Sequence, residues 1–268
     1  MPVAPLEVLR LAGSLGAEVR GADLADLPAE HVESIHRAFL EHHVLVFRDQ
    51  KLGPDQLVAF GAHFGTLFVH PIVPHLRGHP EVIEIRNRGK RFTITEVWHS
   101  DVTFDERPPM ASALYALEVP EAGGDTLFAN QHLAYERLSP GLRRMLEGLR
   151  AVHSGRGLGA VTGKGEAWKN HGQLHPVVRT HPETGRKALF VNRAFTIAFE
   201  DMTPEESRPL LELLWERATT PDLTFRHRWR PGDLVMWDNR SVQHYAVHDH
   251  GDAPRVLHRV TVEGDVPR

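Results

Sequence analysis

The sequence contains no cysteine. That removes disulfides, thiolate zinc sites and a cysteine nucleophile together, and a reducing cytoplasm is the simplest compartment to expect. Nowhere is there a run of about 18 apolar residues, the length a membrane-spanning helix needs. The first residues, MPVAPLEVLRLAGSLG, lack a cationic head before an apolar stretch and do not read as a signal peptide. Positive charge is not in excess either. Lys and Arg number 31 against 35 Asp and Glu, for a net charge of −4. No nucleic-acid partner is therefore expected, because duplex-binding proteins carry a basic surplus. Internal repeats, low-complexity tracts and a splitting linker are also missing. The 268 residues read as one domain, long enough to bury a sizeable core without staples.

Hydrophobic content of 41% and charged content of 25% place the chain among ordinary soluble globular proteins. Residues 6–25 read as short strands with Gly turns. Pro28 is expected as the first residue of a helix whose apolar positions Val32, Ile35 and Phe39 recur at helical spacing. VLVFRD (44–49) reads as a buried strand and 54–64 as a second helix ending at Gly65. Beyond residue 81 short β-rich runs dominate, among them VIEIRN, FTITEVWHSDVTF, ASALYALEV, DTLFAN, DLVMWDN, HYAVH and RVLHRVTVE. Turn signals such as Gly123-Gly124 and Pro231-Gly232-Asp233 separate them, the pattern of a sandwich or jelly roll. Helical insertions are expected over roughly 133–150 and from Thr203. Thr203-Pro204-Glu205-Glu206 fits a capping box, and Pro209 predicts a kink or a later start. The Gly-rich stretch SGRGLGAVTGKGE (154–166) is not a phosphate loop: Leu158 stands where a Gly is required, and Gly follows Lys164. It is either a surface loop or a lid.

Among 19 histidines, His-x-Asp or His-x-Glu occurs at His31/Glu33, His79/Glu81, His181/Glu183 and His250/Asp252 as well as at His99/Asp101. The last pair lies in VWHSDVTF, among β-branched and aromatic residues. On a strand, positions i and i+2 share a face, so both side chains would point inward as metal ligands or outward as ordinary polar residues. The helical and turn pairs lack that geometry. Further along, WDNRSVQHYAVHDHGDAPRVLHRVTV (237–262) reads as strand, turn, strand, with His244 on the first strand and Arg255 and Arg259 on one face of the second. Two His and one carboxylate with open positions match the facial triad of non-haem Fe(II) oxygenases. A neighbouring Arg can hold a carboxylate bidentately.

The chain resembles the taurine/α-ketoglutarate dioxygenase (TauD/TfdA) family of 2-oxoglutarate-dependent oxygenases over nearly its whole length. The landmarks are FVHP (68–71), WHSDVTF (98–104), GGDTLFAN (123–130), LHPVVRTHPETG (174–185), ALFVNRAFT (188–196), WDNRSVQHYA (237–246) and HRVTVEGD (258–265). The resemblance implies a β-rich α+β fold, a double-stranded β-helix (jelly roll, cupin-like) with flanking helices. It implies Fe(II) ligation by His99, Asp101 and His244, and binding of the far carboxylate of 2-oxoglutarate by Thr126 and Arg255. His70 and Arg259 fall on the groups that hold the substrate's anionic head, and Phe195 on an aromatic wall. His153, His175, His181, His227 and His258 read as surface or structural. O2 is the other co-substrate, and a homodimer or tetramer is expected. The implied reaction hydroxylates a substrate carbon while 2-oxoglutarate becomes succinate and CO2. Where that carbon bears sulfate or sulfonate, the product collapses to an aldehyde with sulfate or sulfite. Asp101 speaks against halogenating relatives, which lack that carboxylate.

Charge adds to this reading. Fe(II), Asp101, 2-oxoglutarate and Arg255 sum to zero, so Arg259 is a surplus cation asking for a singly anionic substrate, unless it pairs with a local acid. Val73 and Thr95 stand where the taurine enzymes place Tyr and Asn around the substrate amine, so the pocket reads as less polar there. The expected substrate is a small sulfonate or alkyl sulfate ester. An aryloxyalkanoate or another carboxylate is the alternative within the same chemistry. A zinc hydrolase or a non-catalytic binder is the alternative outside it, and the pair Thr126/Arg255 is what a hydrolase has no need for.

Overall fold

The computed structural model describes residues 4–70, 73–87, 94–156 and 172–268. Strands β1 (Glu7–Arg10) and β2 (Ala17–Arg20) precede helix α1 (Ala29–His42), β3 (Val44–Phe47) and α2 (Pro54–Ala62). Then come β4 (Ile83–Asn87), β5 (Ala111–Glu118), β6 (Thr126–Asn130), α3 (Gln131–Glu136) and α4 (Pro140–Leu146). Strands β7 (Arg150–Ser154), β8 (Gly172–Pro176), β9 (Val178–Thr180), β10 (Lys187–Leu189) and β11 (Thr196–Phe199) follow. The chain ends with α5 (Pro204–Ala218), β12 (Thr224–His227), β13 (Leu234–Asp238), β14 (Val242–Ala246) and β15 (Arg255–Val262). The fold is β-rich α+β. A seven-stranded sheet runs β1-β2-β3-β13-β5-β15-β4 and is mixed because β2 and β3 pair in parallel. Smaller sheets run β12-β6-β14, β11-β7-β8 and β10-β9.

The strand period of two explains why VLVF is apolar throughout. Val44 and Val46 join Leu114, Val235, Trp237 and Leu257, which pack against Phe128 and Val242 of the small β12-β6-β14 sheet. Leu45 and Phe47 face the other way, toward Phe39 of α1 and Phe60 of α2. The same alternation on β15 puts Leu257, between Arg255 and Arg259, on the inter-sheet face and Val260 on the helix side. A third cluster joins Leu146, Phe199, Leu211 and Leu214 beneath α3 to α5.

Local structure departs from the sequence expectation in four places. Pro28 caps α1 from outside, in an extended conformation, rather than opening it as the first helical residue. The insertion expected over 133–150 is two short helices, because Ser139 accepts the Leu142 N–H and Pro140 starts the helix anew. Helix α5 does begin at the Thr203/Glu206 capping box, and it runs on through Pro209 with no later start. Pro209 leaves the Glu205 carbonyl without its intrahelical donor, and burial of Leu211, Leu214 and Ala218 beyond it offsets that loss. The run FTITEVWHSDVTF is not a strand within its described part: Ile94–Glu96 form a single 3₁₀ turn, His99 makes an isolated bridge, and 101–104 are a turn. The Gly-rich stretch 154–166 falls outside the described residues beyond Arg156, and so does Pro71 of FVHP.

None of the five histidines expected as surface or structural is on the surface: His153, His175, His181, His227 and His258 are all buried. His181 Nε2 lies 2.9 Å from Asp238 Oδ2, and Arg240 donates to both oxygens of the same carboxylate. His43 sits beside His132 and within 3.5 Å of Arg186. No helix is long and apolar enough to cross a membrane among the described residues.

Burial lowers His43 to about 3, His132 to about 4 and His153 to about 3, with neighbouring cations or imidazoles adding to it. Unfolded histidine titrates near 6.5, so between 6.5 and these values the unfolded chain takes up protons that the native one refuses. Stability is complete above pH 6.5 and falls with pH below it, by on the order of 2 kcal/mol per histidine at pH 5. Urea midpoints measured from pH 7 to pH 5 are expected to drop steeply, and a flat profile would contradict the burial of these rings.

Candidate metal centre

The two segments that carry the histidines meet through their backbones. His99 N–H donates to the His244 carbonyl at 3.1 Å and His244 N–H returns the bond at 2.8 Å. His244 lies on β14, opposite Phe128 of β6. After His99 the ladder stops. The Asp101 N–H goes to the Asn239 side chain at 3.3 Å instead of to a strand neighbour. Val102 then turns the chain with φ of +49°, a left-handed conformation that costs a β-branched residue about 1–3 kcal/mol. Asp101 thus reaches the histidines from a turn, not from the pleat of a strand.

The side chains of His99, Asp101 and His244 are buried, and one ligand atom from each lies within 4.8 Å of the others. Asp101 Oδ1 stands 3.9 Å from His99 Nε2 and 3.8 Å from His244 Nε2. His99 Nδ1 lies 2.7 Å from the Val97 carbonyl. A carbonyl only accepts, so Nδ1 carries the proton and Nε2 keeps its lone pair toward the cluster. Burial pushes both imidazoles below their ordinary range and keeps them neutral. Burial raises Asp101, but the Arg259 guanidinium, with the Ser112 hydroxyl, outweighs it and holds the carboxyl well below the usual carboxylate range. The set is deprotonated as a divalent cation requires, and its donors fit one: two imidazole nitrogens and a carboxylate oxygen.

Beside His244 lies a cavity of about 60 Å³ walled by Ile85, Leu114, Trp229 and Trp237, with Thr126, Arg255 and Arg259 also on its lining. Arg255 is 4% exposed, and no carboxylate lies within ion-pair reach of it among the described residues. Its Nε donates to the Gly124 carbonyl at 3.0 Å and its guanidinium stacks 5.6 Å from the Trp229 ring. Burial lowers this guanidinium to about 10, with Asp125 only partly opposing. Thr126 Oγ1 accepts the Trp229 indole N–H at 3.0 Å. Thr95 also lines the cavity.

Arg259 differs from Arg255. Its Nη2 lies 2.8 Å from Asp101 Oδ2 and 3.0 Å from Ser112 Oγ, and its Nε donates to Thr261 Oγ1 at 3.1 Å. The acid it pairs with is Asp101, already included in the charge count, so that count still leaves one positive charge on Arg259. Phe195 is 3% exposed, with its ring edge-to-face 6.1 Å from His99 and 5.0 Å from Phe104. His70 is half-buried, accepts the Val73 N–H on Nδ1 at 3.1 Å and lies outside the lining of the Arg255 cavity. Reading the sequence missed Ser112, Asn239, Trp229 and Trp237. Asn239 and Trp237 lie in the quoted WDNR run, and Ser112 is a hydroxyl inside the apolar run ASALYAL; both were visible signals.

A buried metal-ready triad beside an aromatic-walled pocket with an unpaired arginine marks a metal-dependent enzyme class. Residues 7–261 match the taurine catabolism dioxygenase TauD, TfdA family, and the chain belongs to it. An alkylsulfatase of Acinetobacter baylyi is 39% identical, across 99% of this chain and 87% of its own length. An alpha-ketoglutarate-dependent sulfate ester dioxygenase of Pseudomonas putida is 37% identical, across 98% and 91%. An alpha-ketoglutarate-dependent 2,4-dichlorophenoxyacetate dioxygenase of Cupriavidus pinatubonensis is 38% identical, across 97% of both chains. The solved structure of AAD-2 in complex with Mn(II) and N-oxalylglycine shares 30% identity with a TM-score of 0.86, covering 98% of this chain and 99% of that one.

Replacing His99 by Ala removes one of three donors. Mn(II) affinity, read by electron paramagnetic resonance of the free ion, is expected to fall by more than about a hundredfold. Undiminished binding would place the metal elsewhere.

Proposed function

We propose that this chain is an Fe(II)- and 2-oxoglutarate-dependent dioxygenase that hydroxylates the carbon next to the anionic group of a small alkyl sulfate ester or sulfonate. The reading includes one domain over 1–268 and closure of the large sheet and the β12-β6-β14 sheet into a double-stranded β-helix, with His99, Asp101 and His244 holding the iron. The observation that carries it is Arg255: a buried guanidinium without an acid, in an apolar pocket adjoining a His-Asp-His cluster. A buried unpaired cation is costly, and a dicarboxylate ligand removes that cost.

Bound iron(II), with 2-oxoglutarate and O2, supplies the oxidant for a C–H bond, while 2-oxoglutarate leaves as succinate and CO2. The protein's part is to position and neutralise. Arg255 takes the far carboxylate, with the Thr126 hydroxyl beside it. Trp229, Trp237, Ile85 and Leu114 exclude water around the chain of the co-substrate. Arg259 keeps its remaining N–H groups for the sulfate or sulfonate oxygens, His70 adds a second polar contact, and Phe195 borders the substrate's apolar body near His99. The sulfate ester relatives favour that substrate class, because Arg259 alone, being paired with Asp101, suits a carboxylate equally well.

Succinate formation under air, measured with hexyl sulfate, hexanesulfonate, taurine and a phenoxyacetate, tests the reading. Hexyl sulfate or hexanesulfonate is expected to raise it well above the substrate-free rate. A clear preference for the phenoxyacetate overturns the substrate class, and one for taurine overturns the less polar pocket expected at Val73 and Thr95. Absence of a weak visible band on anaerobic addition of Fe(II) and 2-oxoglutarate overturns the iron reading. Arg255→Gln is expected to raise the KM for 2-oxoglutarate by roughly a hundredfold, since losing one side of a buried charge pair costs about 2–5 kcal/mol.

A further inference from the structure

The carboxylate of Asp101 sits in a closed hydrogen-bond circuit. Its Oδ2 accepts from Ser112 Oγ at 2.8 Å and from Arg259 Nη2 at 2.8 Å. Ser112 Oγ is itself 3.0 Å from Arg259 Nη2 and 3.3 Å from Asn239 Nδ2. Asn239 Oδ1 accepts the Asp101 N–H at 3.3 Å and the Trp237 indole N–H at 2.9 Å. Each proton in this circuit has one place to go. Two groups that can only donate fix the amide oxygen of Asn239 toward Asp101 and Trp237, and so its N–H groups toward Ser112. Arg259 and Asn239 both donate into the Ser112 oxygen, so the hydroxyl proton points to Asp101. Ser112 is 0% exposed, Asn239 2%, Trp237 2% and Asp101 4%, so no solvent competes. The strands enforce the arrangement, since Ser112 of β5 lies opposite Trp237 of β13 in register.

Oδ2 therefore has two donors, and Oδ1 alone faces the imidazoles. We infer that Ser112 and Asn239 are positioning residues that restrict Asp101 to ligation through one oxygen and so keep open a coordination position that the co-substrate uses. A free carboxylate can chelate a cation with both oxygens, which takes one more position from the open half of the shell. The inference rests on the proposed metal reading and adds a role for residues outside the triad.

The test separates metal binding from co-substrate binding in Ser112→Ala and Asn239→Asp. Mn(II) affinity is read by electron paramagnetic resonance, and 2-oxoglutarate affinity for the Mn(II)-loaded protein by calorimetry. Mn(II) affinity is expected to stay within about threefold of the parent chain while 2-oxoglutarate affinity falls roughly tenfold. Ser112→Thr, which keeps the hydroxyl, is expected to recover most of that loss. Unchanged 2-oxoglutarate affinity in both variants overturns the inference. Mn(II) and 2-oxoglutarate affinities falling together with the melting temperature also overturn it, because they mean general structural support. If the parent chain itself binds no Mn(II), the metal reading fails rather than the role of Ser112 and Asn239.

Discussion

The reciprocal backbone bonds between His99 and His244 hold the whole site together. They form a β-bridge between the 97–105 segment and β14, and Ser100 Oγ adds a hydrogen bond to the Val242 carbonyl at 2.8 Å. Through β14 that segment is tied to β6, whose first residue is Thr126. The adjoining large sheet brings Ser112 on β5 and the two arginines on β15. A slip of one residue in the pairing of β14 with β6 would turn His244 to the other face, because side chains alternate along a strand. The packing of Phe128, Trp237 and Val242 between the sheets therefore sets the orientation of His244 in the His-Asp-His cluster.

Two arginines four residues apart on one strand face reach opposite electrostatic solutions. Arg259 settles on Asp101, and both groups are satisfied by neighbours within the fold. Arg255 has a carbonyl and an aromatic face, neither of which cancels its charge. Burying a cation this way is unfavourable in the absence of an anion, so the fold carries a binding preference as stored cost. The Gly123-Gly124 turn makes this possible: both residues adopt positive φ, and a Cβ on Gly124 would meet Arg255 Cδ at 3.2 Å.

Most of the strands were legible because apolar runs and turn residues punctuate them, and the clustering of His99, Asp101 and His244 was legible from the resemblance together with His-x-Asp. What failed did so where tertiary contacts override local pattern. The FTITEVWHSDVTF run has strand propensity throughout, yet its backbone donors go to Asn239 and to one bridge. Arg259 was placed on the right face, but its pairing with Asp101 depends on strands β5 and β15 lying side by side, which no local window contains. The buried histidines were underread for the same reason. His153 reaches Thr103 and His181 reaches Asp238 over separations of 50 and 57 residues.

The strain at Val102 belongs to the same logic. A continuing strand would satisfy the backbone locally and carry Asp101 along the sheet. Here the left-handed residue takes the chain out of the sheet just past the carboxylate, and neighbours offset what it costs. Asp105 N–H closes the turn onto the Val102 carbonyl at 3.0 Å. The Thr103 hydroxyl is held between His153 at 2.9 Å and Asn192 at 3.1 Å, and Phe104 packs on Phe195. The position where sequence propensity and structure disagree most is also where the Asp101 carboxylate is aimed at two imidazoles, as expected where local preference is overruled by tertiary contacts.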